Sequence, residues 1–177
     1  RILGAVHANT LVTLDSLVFA YQDLEHFDEA GQLLEKHLHL VEQQLGPEHE
    51  GVASALYSLG WFCEKRNESE KAAGFYRRAI SIWAGCNPQD PDNRLAMRNL
   101  AHIEFGDERY PEAADLYGRI LEMEREHQTM YREVLDKIEH NLSTCYGKLD
   151  RHEDNLRLSR QILADRIEAF GEDHPLV

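Results

Sequence analysis

Apolar residues recur every three or four positions along this chain, as in Leu14, Leu17, Val18 and Tyr21, and again in Phe27, Ala30, Leu33, Leu34, Leu38 and Leu45. That spacing gathers them on one face of an α-helix and leaves polar residues on the other. The pattern predicts helices over 8–23, 27–45, 50–65, 68–84, 91–106, 110–127, 131–149 and 152–170. The stops between them have a chemical basis. Gly46 can take the left-handed cap conformation after Leu45, and Pro47 cannot extend a helix. Asp90-Pro91 offers a capping side chain followed by a first-turn proline.

The pattern also repeats. Ala30, Ala72, Ala113 and Asn155 are separated by 42, 41 and 42 residues, and Leu17, Leu59, Leu100 and Leu142 keep the same intervals. Two further series agree: Tyr21, Cys63, Glu104 and Tyr146, and Leu34, Tyr76, Tyr117 and Ser159. A fixed period of this length marks a repeat architecture, each unit being one helical hairpin. The hairpins fall at about 8–49, 50–90, 91–130 and 131–173, making residues 1–177 a single array. A lone hairpin cannot bury both of its apolar faces, so neighbours stack, each on the next, into an all-α solenoid of four hairpins and eight helices. Gly171-Glu172-Asp173-His174-Pro175 repeats the Gly46-Pro47-Glu48-His49-Glu50 junction, so the piece reads as excised from a longer array.

Two places depart from the rule. Asn155 stands where the other units have alanine, and with His152 and Ser159 it makes the fourth unit more polar inside. A buried amide without a partner costs about 1–3 kcal/mol. Asn155 is therefore expected to be hydrogen-bonded, or its hairpin to be looser. The junction from Glu126 to Tyr131 has neither Gly nor Pro, and there the helices run on or meet in an irregular turn.

Composition narrows the function. Acidic residues outnumber basic ones 32 to 19, for a net charge of −13. Such a chain has no counter-charge for nucleic-acid phosphate, so nucleic acid is not an expected partner. No apolar run approaches the length needed to cross a bilayer, and no membrane insertion is expected. Cys63, Cys86 and Cys145 are odd in number and far apart, which reads as reduced thiols in a cytoplasmic setting.

The carboxylates are spread over helix exteriors, as at Glu48, Glu50, Glu68, Glu70, Glu122, Glu124 and Glu126, where charge runs are ordinarily solvated faces. His37 and His39 point about 200° apart on a helix and cannot hold one ion from one face. No metalloprotease, phosphate-loop or nucleophile-elbow motif occurs. Cys63 and Cys145 read as small core residues. No catalytic residue, cofactor or metal site is expected, and the chain is read as a non-enzyme.

Leu14, Leu17, Tyr21, Phe27, Ala30 and Leu34 in the first unit, with Leu56, Leu59, Gly60, Ala72, Tyr76 and Ala79 in the second, resemble the tetratricopeptide repeat signature. The 42-residue period and the Gly-x-x-His-x junction are similar to the long variety found in kinesin light chains. The asparagine-rich first helix common there is missing from the first two units. The resemblance implies a right-handed solenoid and a cytoplasmic scaffold or adaptor for protein binding, its concave face lined by the first helix of each hairpin.

Carried over slot by slot, that lining is Val12, Asp15, Ser16, Phe19 and Gln22, then Ser54, Tyr57, Ser58, Trp61 and Lys65. The third unit supplies Leu95, Arg98, Asn99, His102 and Phe105, and the fourth Lys137, His140, Asn141, Thr144 and Lys148. In a chain of net charge −13, the lining carries four basic residues (Lys65, Arg98, Lys137, Lys148) against one acidic residue, Asp15. Aromatics and arginine dominate interface energetics. Arg98, Lys137, Asn99 and Asn141 suit a carboxylate or a peptide backbone, and Phe19, Tyr57 and Trp61 suit its apolar side chains.

The partner expected is thus a protein or peptide segment. The alternatives are a signalling peptide or intramolecular segment held by a regulatory module, with neighbouring domains or repeats of the same chain as partners, and a purely architectural array that self-associates. Chaperone tails are not expected, because the lysine and asparagine clamp of chaperone-docking tetratricopeptide domains is met at Asn99 and Lys137 alone.

Overall fold

The computed structural model describes residues 27–127 and 132–171. Among them the chain forms seven helices and no strand: α1 (Phe27–Leu45), α2 (Glu50–Lys65), α3 (Ser69–Cys86), α4 (Pro91–Gly106), α5 (Tyr110–His127), α6 (Arg132–Lys148) and α7 (His152–Phe170). Each lies on an expected segment. The eighth expected helix, at 8–23, and the turn at 128–131 fall outside the described residues.

The turn inside a hairpin is built identically three times. The backbone N–H groups of Glu68, Arg109 and Arg151 donate to the carbonyls of Cys63, Glu104 and Tyr146 at 2.9, 2.8 and 2.9 Å. This six-to-one bond closes a helix whose next residue turns left-handed. Asn67, Glu108 and Asp150 supply that residue, with φ of 58°, 60° and 54°. The starts differ more. Gly46, at φ 87°, releases the chain from α1, and His49 Nδ1 accepts the Gly51 N–H at 3.0 Å to cap α2. Asp90 Oδ1 accepts the Asp92 N–H at 2.8 Å, so the expected cap before Pro91 forms.

The chain divides into two compact units, residues 1–100 and 101–177, the division falling inside α4. In the first, Ala30, Leu34, Leu59 and Phe62 form a buried cluster with Leu38 and Phe75 packed against it. Next to it, α2 and α3 approach so closely that a Cβ on Gly60 would lie 2.6 Å from the Tyr76 ring. Only glycine admits the tyrosine there. Tyr76 is fully buried, as is Trp83 on the same helix.

In the second unit, Ala113, Tyr117, Ile120, Ile138, Leu142 and Cys145 are buried. So is the Glu104 carboxylate, which accepts from Arg109 five residues on. In the next hairpin the same two slots hold Tyr146 and Arg151, whose guanidinium sits 4.7 Å from the tyrosine ring centroid. Asn155 is hydrogen-bonded, its Oδ1 accepting from Ser143 Oγ at 2.8 Å. The fourth hairpin is also sparser: within α7, Leu158 alone among the described side chains is buried. Glu139, buried on α6, accepts from Arg132 at 2.9 Å. Burial pushes its carboxyl above the ordinary value despite Arg132 and Arg166 beside it.

Candidate functional site

In the first unit, Tyr57, Trp61 and Lys65 follow one another at successive turns of α2. Tyr57 is half-buried, its ring centroid 5.9 Å from that of Tyr76 and 6.4 Å from that of Trp83. These two core aromatics hold it in place while it keeps an open edge. Trp61 is half-buried with the Lys65 ammonium 5.2 Å from its ring centroid. A cation over an indole face is an attractive pair, so the lysine and tryptophan present themselves together.

On α4 of the same unit, Arg98 and Asn99 are half-buried. The Asn99 amide donates to the Tyr76 hydroxyl at 3.1 Å, and that hydroxyl donates to Glu64 Oε2 at 2.5 Å. Burial, then the bond to Glu64, pushes the phenol far above its ordinary value, so it is a permanent donor.

The second unit repeats the device. Asn141 of α6 donates to the Tyr117 hydroxyl of α5 at 3.1 Å. Burial raises that phenol to about 12. His102 is exposed, its ring centroid 6.1 Å from that of Tyr117. Lys137 and His140 are exposed on α6. Phe105 is half-buried and meets Tyr110 edge-on at 5.8 Å, while Lys148 lies 6.0 Å from the same tyrosine ring. Phe105 occupies the slot of Glu64, one residue off the register of Lys65 and Lys148. Asp15 and Phe19 lie outside the described residues.

These contacts join Tyr57 and Asn99 through Tyr76 in the first unit, and His102 and Asn141 through Tyr117 in the second. Sequence reasoning passed over two neighbours of these residues. Arg94, half-buried one helical turn before Arg98, was detectable from i, i+4 spacing. Tyr110 opens a second helix, and its signal is the pairing with Phe105 and Lys148, which spans a turn and a hairpin and so leaves no local pattern. Among the described residues no group of three or more His, Cys, Asp or Glu side chains is placed to hold a metal ion. Nor is any helix of those residues long and apolar enough to cross a membrane.

Two family models, each described as tetratricopeptide repeat, match residues 7–85 and 140–176. Among curated proteins, the chain is 29% identical over 129 residues to response regulator aspartate phosphatase A of Bacillus subtilis (strain 168). The alignment takes in 72% of this chain and 32% of that protein, so the chain spans about a third of its relative's length.

Among solved structures it is similar to a Podosopora anserina protein described as a putative kinesin light chain with nearly identical TPR-like repeats. A form of that protein with one substitution gives a TM-score of 0.69 at 18% identity, covering 94% of this chain and 79% of that one. BtubC (BKLC) from P. vanneervenii gives 0.68 at 18% identity, covering 94% and 66%. At these identities the likeness carries the fold, an all-α solenoid of tetratricopeptide-like hairpins.

Proposed function

We propose that this chain, which belongs to the tetratricopeptide repeat family, is a protein-interaction scaffold that holds a segment of a partner protein against the first helices of its hairpins. Families of this kind are protein-binding modules, and the reading adds which residues of this chain do the holding. The observation that carries it is the α2 stripe. Tyr57 and Trp61 are bulky aromatics left half-exposed although the same helix buries Leu56, Leu59 and Phe62 completely or nearly so. An apolar residue that the core does not consume, backed by rigid neighbours and accompanied by Lys65 and Arg98, has the character of an interface anchor. The preferred ligand has apolar or aromatic anchors and acidic residues. The scaffold performs no chemistry in this reading, and its setting is cytoplasmic.

Asn99 and Asn141 act differently from the arginine and lysines. Each spends one amide N–H on a buried tyrosine, which fixes the side chain and leaves its carbonyl oxygen and second N–H aimed by the first bond. A pre-oriented amide loses little freedom on gripping a peptide backbone.

The test is Trp61→Ala in the intact chain, with pull-down of partners compared against Trp61→Ala/Arg98→Ala. An unchanged melting temperature with binding weakened by about 2 kcal/mol supports the groove. Loss of stability without a binding defect assigns Trp61 to packing and overturns it. A second reading, a regulatory module holding a signalling peptide or a segment of the same polypeptide, is favoured by the similarity to a response regulator aspartate phosphatase. Residence beside a catalytic or effector domain in the full-length protein would separate the two.

A further inference from the structure

On α2, the half-buried residues Tyr57, Trp61 and Glu64 stand at i, i+4 and i+7, which places them on one face of the helix. The two ends of that stripe meet the same side chain of α3. The Tyr57 ring centroid lies 5.9 Å from that of Tyr76, and Glu64 Oε2 accepts the Tyr76 hydroxyl at 2.5 Å. The phenol in turn accepts an amide N–H from Asn99 of α4 at 3.1 Å. Both protons point the same way, from Asn99 through Tyr76 to Glu64, so the carboxylate is the terminal acceptor. A carboxylate has about four acceptor positions, and the phenol takes one. Among the described residues no lysine, arginine or histidine forms an ion pair with Glu64.

The fold does not require a charge at this place. In the next hairpin Tyr117 is buried as completely as Tyr76, and Asn141 donates to its hydroxyl at the same 3.1 Å, yet Phe105 fills the slot of Glu64. In the first and fourth hairpins the slot holds Gln22 and Gly147. Joining one hairpin to the next takes the tyrosine and the asparagine, and the carboxylate is an addition peculiar to the second hairpin. Partial burial penalises a carboxylate that no cation accompanies. The bond from Tyr76 also fixes its head, so it loses little freedom when a cation arrives.

We propose that Glu64 is a specificity determinant of the α2 stripe, receiving a lysine or arginine of the bound segment next to the apolar side chain taken up by Tyr57 and Trp61. Resting on the scaffold reading above, this adds a basic residue to the ligand. The acidic residues of that ligand go to Arg98 and Lys65, so the segment that fits carries both signs around an apolar anchor. A segment acidic throughout would set one of its carboxylates against Glu64 and be rejected.

The test is selection of phage-displayed random peptides on the intact chain, with Glu64→Gln, Glu64→Lys and Trp61→Ala/Arg98→Ala selected in parallel. Glutamine keeps an oxygen for the Tyr76 hydroxyl and removes the charge. The wild-type chain is expected to enrich peptides in which lysine or arginine flanks an apolar or aromatic residue. Such a peptide, once synthesised, should bind Glu64→Gln about tenfold more weakly. Glu64→Lys should enrich an acidic residue at that place instead, an exchange of preference that a misfolded variant cannot produce. Peptides that depend on Trp61 and Arg98 but show no basic preference, or whose basic residue is indifferent to both Glu64 variants, overturn the proposal and leave the groove standing. If no enriched peptide loses binding on Trp61→Ala/Arg98→Ala, the groove itself fails, and the role of Glu64 fails with it.

Discussion

The second and fourth hairpins follow one plan with opposite chemistry. In α2 and α3, Gly60 lets the Tyr76 ring descend onto the backbone, Ala72 is fully buried, and Trp83 fills the far end. In α6 and α7 the corresponding slots hold Ser143, Asn155 and Arg166. Dispersion and burial hold the first pair of helices together. In the second, a Ser143–Asn155 hydrogen bond and an ion-pair network join them, Arg166 reaching Asp136 at 3.1 Å and Glu139 at 3.5 Å. The backbone turn is the same in both, so what the repeat keeps is the hairpin's geometry, while the glue is interchangeable. The interchange has a cost in stability, because a net hydrogen bond contributes about 1 kcal/mol where a buried large side chain contributes about 1.5–3.

The sharpest way to break the comparison is at the slot shared by Trp83 and Arg166. Trp83 is completely buried, and Trp83→Ala leaves a cavity that α2 and α3 cannot close, a loss of about 3–5 kcal/mol. Arg166→Ala removes a side chain about one-third exposed, and Arg132 still serves Glu139, so the loss is expected to be under half as large. Chemical denaturation of both variants measures this. Equal losses would mean that the fourth hairpin is held as tightly as the second.

Much of this contrast is legible in the sequence. The period, the helices and the polar character around Asn155 follow from spacing alone, because a hairpin repeat imposes its intervals on the chain. Asn155 is expected to be bonded or its hairpin looser; the amide is bonded, and the hairpin is also sparser. The tyrosine slots and the asparagine slots are each visible, yet not that they meet. That pairing depends on which face of one hairpin receives the next, which no local pattern encodes. Asn99 and Asn141 accordingly read as ligand contacts in the sequence, and their bonds to Tyr76 and Tyr117 emerge only from the fold. Glu104 stands out as a carboxylate in a slot elsewhere given to tyrosine and cysteine. Its partner, Arg109, lies across the turn, within reach only because the six-to-one closure folds the chain back.

A second, smaller effect sharpens the comparison at the close approach of each helix pair. Gly60→Ala drives a Cβ into the Tyr76 ring, which is buried on all sides, and is expected to destabilise by about 1–3 kcal/mol. Ser143→Ala, at the same slot of the fourth hairpin, leaves Asn155 Oδ1 without its donor and costs about 1 kcal/mol. The double variant Ser143→Ala/Asn155→Ala restores an apolar small pair like that of the other hairpins and should recover most of the loss. Additive losses in the cycle would show that the two side chains do not support each other.

The smallest expected effect lies in the turns themselves. Asn67, Glu108 and Asp150 occupy one slot at φ near 60°, a conformation that asparagine and aspartate tolerate and longer side chains resist. Glu108 is therefore the strained member of the series. Glu108→Gly relieves that strain but enlarges the freedom of the unfolded chain, so the two contributions oppose each other. Glu108→Asn relieves it without that penalty and is expected to stabilise by about 0.5–1 kcal/mol, whereas Asn67→Glu in the second hairpin should destabilise by a similar amount. Melting temperatures of the three variants decide whether the slot's backbone, common to hairpins of such different interiors, sets its own sequence preference. A rise with Glu108→Gly larger than with Glu108→Asn would show that φ alone governs it. No change in any of them would place the preference in the neighbouring side chains.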